Sequence, residues 1–146
     1  MKGALLILLL LINLCSAGAQ DFIGLNERGI RRIMSEDHPG MTMDENLKNE
    51  TYRYLKYSSG NENETWIIFM DEKGICNGVR ITCDSSALDE KIKELNSSYK
   101  PAEKDSWTHM SGGNEISIRV KNETWFFTIT YQKTQKKGKS GNNRAA

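Results

Sequence analysis

Apolar and polar positions are patterned most clearly between Thr65 and Cys83, in TWIIFMDEKGICNGVRITC. Side chains alternate along a strand, so Trp66, Ile68 and Met70 share one face and Ile67 and Phe69 the other. A strand apolar on both faces is expected to be central and covered on each side. Asp71-Glu72-Lys73-Gly74 then supplies a turn whose glycine tolerates positive φ. After it, Val79, Ile81 and Cys83 oppose Arg80 and Thr82, the pattern of a half-buried strand. Asn77-Gly78 inside this run predicts a bulge, which shifts parity and puts Cys76 on the Val79 face. The stretch reads as a β-hairpin around which the rest is arranged.

Period-two patterns recur. Thr51 to Tyr57 is β-branched and aromatic, and Ser106 to Met110 reads as a short strand. Ile116, Ile118 and Val120 alternate with Ser117, Arg119 and Lys121. Trp125, Phe127, Ile129 and Tyr131 alternate with Thr124, Phe126, Thr128 and Thr130, which makes an antiparallel hairpin with one wet face. Helical spacing occurs twice. From Phe22 to Asp37, Ile23, Ile30, Ile33 and Met34 share a face, with Asp21 or Asn26 as cap and His38-Pro39-Gly40 as stop. After Cys83, Asp84-Ser85-Ser86 offers caps to a stripe of Leu88, Ile92, Leu95 and Tyr99, with Pro101 beyond its end. Met41 to Asn49 lacks periodicity and reads as a loop. The expected class is α+β: an antiparallel sheet of about six strands with two helices, in the order αβββαβββ. Two smaller sheets packed as tandem units are the alternative, and Asn-Glu-Thr recurring at Asn49, Asn63 and Asn122 fits a duplication.

The leader changes the picture more than composition does. Met1-Lys2, the apolar run Ala4 to Leu14 and Ala17-Gly18-Ala19 have the anatomy of a secretory signal peptide, with cleavage expected after Ala19. The apolar run is short for a membrane span, which needs ~20 residues. Leu14 before Cys15 disfavours lipid attachment there. Residues 1–19 are thus expected to be a signal peptide, 20–132 a single α+β domain, and 133–146 a disordered basic tail, in a periplasmic or extracellular protein with no transmembrane segment after leader removal. The chain has 146 residues, with 20 Lys and Arg against 19 Asp and Glu, so no global field argues for nucleic acid. Lys133, Lys136, Lys137, Lys139 and Arg144 concentrate positive charge in the tail. That permits weak contact with an anionic surface, although a solvated terminus without a role is the favoured account.

Without Cys15, two cysteines remain. Extended chain holds Cys76 and Cys83 ~23 Å apart, beyond the ~7 Å Cα limit for a disulfide. They are expected to be unpaired small hydrophobes, with an intermolecular bridge or a local turn as the alternatives.

Candidate chemistry is sparse. His38 and His109 have no cysteine, serine or carboxylate at a motif spacing, so no catalytic residue is assigned. No CxxC, HxxxH, calcium loop or glycine-rich phosphate loop occurs, so no metal or cofactor is assigned either. The helix arginines Arg28, Arg31 and Arg32 read as a solvated face. Tyr52 and Tyr54, which share a strand face, and Phe126, on the wetter side of its strand, are the candidate ligand-binding residues, burial being the ordinary alternative. Asn49, Asn63, Asn96 and Asn122 lie in glycosylation sequons that matter only in a eukaryotic secretory route.

The set GLNERGIRRIMSED, YRYLKY, TWIIFMDEKGICNGVRITCD, LDEKIKELNSSY and WTHMSGGNEISIRVKNETWFFTIT resembles small exported proteins of Bacteroidetes-type bacteria. The resemblance implies a bacterial source and a periplasmic or extracellular address, and it carries no activity. The function expected is a small exported binding protein whose partner is a protein or a cell-envelope component. The alternative is a small periplasmic hydrolase whose carboxylates or His109 are assembled by the fold.

Overall fold

The computed structural model describes residues 18–45 and 53–135. Its centre is one antiparallel sheet of eight strands. In chain order these are β1 (Met41–Met43), β2 (Tyr54–Ser59), β3 (Glu64–Met70), β4 (Cys76–Asp84), β5 (Lys100–Pro101), β6 (Ser106–Ser111), β7 (Asn114–Asn122) and β8 (Phe126–Lys133). They lie side by side as β1-β2-β3-β4-β8-β7-β6-β5. Each half is a meander, and the halves meet where β4 pairs with β8, Ile81 facing Ile129. The α+β class and the antiparallel sheet are as the sequence implies, but eight strands form where about six were expected. The two extra strands, β1 and β5, are very short and lie at the two edges. Three and two residues are too few for an alternation to register. The tandem organisation survives as two meanders within one continuous sheet, not as two sheets.

Two α-helices, α1 (Glu27–Asp37) and α2 (Leu88–Ser98), lie on the same face. Register shows why that face is the core. Tyr57 faces Trp66, Trp66 faces Ile81, Ile81 faces Ile129, and Ile129 faces Val120. Val79, Tyr131, Ile118 and Trp107 form the parallel row. Ile30 and Met34 of α1 and Leu95 of α2 close over these rows. The bulge falls where Asn77-Gly78 predicts it: Phe69 pairs with Gly78 but Met70 with Cys76, leaving Asn77 extra. Cys76 and Cys83 consequently share the core side of β4, both buried as free thiols.

The first helix begins later than its apolar spacing suggests. Residues Ala19–Phe22 form a separate 3₁₀ turn, Gly24 takes φ +94°, and α1 starts only after Asn26, whose side chain accepts from the Gly29 N–H at 3.0 Å. Between them the chain pairs briefly with the hairpin: the Gly24 N–H donates to the Cys76 carbonyl and the Cys76 N–H to the Leu25 carbonyl. These tertiary bonds outcompete the first helical turn. At the other end, β8 runs through Lys133, and the Thr134 N–H donates to the Glu115 carbonyl. Residues 1–17 of the expected leader, the basic tail beyond 135, and Tyr52 with the Asn49 sequon lie outside the described residues.

Candidate functional site

Two regions gather functional groups, and the first is the face of the sheet opposite the helices. No element among the described residues covers it. The sequence leads one to expect cover there, because Ile67 and Phe69 make β3 apolar on both sides; the described residues supply no second layer. Tyr54 faces Phe69 directly, and Ile67 sits between Lys56 and Arg80 in register. The guanidinium of Arg80 lies over the Phe69 ring, 5.7 Å from its centroid. Tyr54, Ile67 and Phe69 are half-buried by one another and by these cations.

Around this apolar island the face is hydroxylic and basic. Ser58, Thr65, Thr82 and Thr128 form one row across the strands; Arg80, Thr130 and Arg119 form the next. Lys56 is held by Asp44 at 3.8 Å and Lys121 by Glu123. Arg80 and Arg119 have no carboxylate at ion-pair distance among the described residues. Two strand spacings put their backbones roughly 10 Å apart.

At the end of the sheet Phe126 faces Asp84 and is 42% exposed, and Trp125 beside it is 81% exposed. The alternation of the sequence places Trp125 inward with Phe127. In fact β8 starts one residue later. The chain turns at 122–125, with the Glu123 N–H bonded to the Phe126 carbonyl, and Trp125 swings out of the pleat. Of the three candidate residues, Tyr54 and Phe126 lie on the bare face, at separate places, and Tyr52 is outside the described residues. Sequence reasoning missed Arg80, Arg119 and Trp125. The signal for the arginines was present in their alternation with Val79, Ile81, Ile118 and Val120.

The second region is a cleft of about 260 Å³ on the helix side, between the Gly18–Phe22 turn, α2 and the sheet. Its wall includes His38, Glu64, Trp66, Lys91, Glu94, Tyr99 and Tyr131. The Glu64 carboxylate accepts from the Trp66 indole N–H. Lys91 reaches Glu94 at 3.2 Å; burial lowers its pKa, but Glu94 and Glu64 outweigh burial and hold it above its ordinary value. Tyr99 donates to the Gln20 side-chain oxygen at 2.6 Å, and burial, with Tyr99 beside it, drives the Tyr131 phenol far above its usual range. Cys83 lies beneath, its thiol pushed up to about 11 by burial and by Glu64. His38 packs against Trp66 with the rings tilted by 54° and 4.9 Å between centroids, whereas His109 stands edge-on to Tyr99 at 5.3 Å. These carboxylates are thus engaged, and the thiol is held protonated at neutral pH.

Among the described residues no group of His, Cys, Asp and Glu could hold a metal ion, and no helix is long and apolar enough to cross a membrane. Comparison with family models, curated proteins and solved structures found no match for this chain.

Proposed function

We propose that this is an exported, non-enzymatic binding module that docks a protein on the bare face of its sheet. The observation that carries the reading is the apolar island of Tyr54, Ile67 and Phe69 on a strand face that no element among the described residues covers. Apolar side chains ringed by cations and hydroxyls have the anatomy of an interface, and tyrosine, tryptophan and arginine are the residues that most often dominate binding energy. Arg80 and Arg119, which have no carboxylate at ion-pair distance among the described residues, favour a partner with an apolar centre and an acidic rim. Trp125 and Phe126 extend the surface at one end. The leader supports a periplasmic or extracellular address, the resemblance to small exported bacterial proteins agrees with it, and the basic tail adds weak attraction to anionic envelope surface.

The test is capture from an envelope extract with the exported protein and two variants, Arg80→Glu and Arg119→Glu. Each substitution should weaken a specific partner about tenfold or more and leave the thermal midpoint unchanged. Capture that ignores both substitutions would sink the reading. The convergence of Glu64, Glu94 and His38 on the helix-side cleft favours the second reading, a small hydrolase. That reading expects turnover of ester or glycoside substrates that Glu64→Gln abolishes.

A further inference from the structure

We propose that the leader is cut between Ala17 and Gly18, two residues before the cut expected after Ala19, making Gly18 the mature N-terminus. The inference rests on the export reading above. The sequence permits both cuts, because a leader site needs small residues at the cleaved position and two before it. Ala19 with Ala17 satisfies this, and so does Ala17 with Cys15. Hydrolysis puts the new carboxylate on Ala17 and the new amine on Gly18, with water supplying the oxygen and protons.

The folded chain separates the two possibilities. Ala19 is only 3% exposed and belongs to the same buried cluster as Phe22 and Trp66. The Asp21 N–H donates to the Gly18 carbonyl at 3.0 Å, and the Gly18 N–H donates to the Asp21 carboxylate at 2.9 Å. A Cβ on Gly18 would collide with the side-chain amide of Gln20. The glycine thus leaves room for the amide that Tyr99 holds at 2.6 Å.

A cut after Ala19 removes the buried methyl and both Gly18 bonds. It also creates a charged ammonium on Gln20 beside the void that Ala19 leaves, and a charge next to an apolar void is costly. A cut after Ala17 keeps every one of these contacts. It also turns the Gly18–Asp21 hydrogen bond into an ammonium–carboxylate pair, a stronger, charge-assisted bond. Gly18 lines the helix-side cleft together with Glu64 and Glu94, so processing there adds a cation to a wall that holds carboxylates.

The experiment is N-terminal sequencing of the full chain exported by a secreting bacterial host. The expected first residues are Gly-Ala-Gln-Asp-Phe. A chain starting at Gln20, free or cyclised with loss of ammonia, or at any other residue downstream of the leader, overturns the inference. A chain retained in the cytoplasm with Met1 overturns the export reading instead. A second measurement tests the physical argument by itself. Proteins beginning at Gly18 and at Gln20, each released from a cleavable fusion, should differ in thermal midpoint, the Gln20 form melting several degrees lower. Equal midpoints would remove the reason for preferring Gly18.

Discussion

Single side chains show how unevenly the aromatic residues are used. Phe22 is fully buried, edge-on to Trp66 at 5.7 Å, while Trp125 stands mostly in solvent. Phe22→Ala should therefore cost about 3–5 kcal/mol in urea unfolding, and Trp125→Ala less than about 0.5 kcal/mol. A large loss at Trp125 would mean that it is packed. The thiols make a second case. Burial pushes Cys76 and Cys83 up to about 11, so neither should react with a thiol reagent in the native protein at pH 7.5, and both should react in denaturant. Cys76 was legible in the sequence, because an Asn-Gly pair in a strand marks a bulge and a bulge fixes parity. Trp125 was not legible, since whether a turn ends one residue earlier or later leaves no trace in an unbroken alternation.

At the scale of elements, the strands of the two hairpins, β3 with β4 and β7 with β8, and the helix α2 follow directly from periodicity. What periodicity cannot show is competition between local and tertiary bonds. The apolar spacing of Ile23, Ile30, Ile33 and Met34 suits a helix from Phe22, yet Gly24 leaves that path to bond Cys76. The left-handed conformation at Gly24 has open space around it, so Gly24→Ala should lose about 1–2 kcal/mol through backbone strain alone. A substitution that stabilised the fold would show that the helix extends through this position in solution. The edge strands were illegible for a simpler reason: two or three residues are placed by their neighbour's register, and the neighbour is known only once the sheet exists.

For the molecule as a whole, titration couples to stability at the alkaline end. Burial raises Cys76, Cys83, Tyr57 and Tyr131 above their ordinary values. A raised folded-state pKa means that the unfolded chain releases its proton first, so stability is complete below the unfolded value and declines as pH rises through the folded one. Denaturant midpoints should be flat from pH 6 to 8 and fall between about 9 and 11, the window of the two thiols. Replacing both cysteines by alanine should flatten part of that fall, and an unchanged slope would assign it to the tyrosines. The candidate surface was half legible at this scale. A strand apolar on both sides announces that something belongs on each, but sequence cannot say whether the second cover comes from the same chain.

The seam between β4 and β8 has a consequence in time. Every other neighbouring pair in the sheet is consecutive along the chain and can zip locally, whereas this pairing must close a loop across the whole second half. A chain emerging N-terminus first during synthesis completes α1 and the first meander while the edge of β4 is still unpartnered. That edge stays open until β8, the last strand among the described residues, has emerged. Until then the nascent protein offers a strand with a full row of unpaired amides and carbonyls, the kind of template on which misassembly begins.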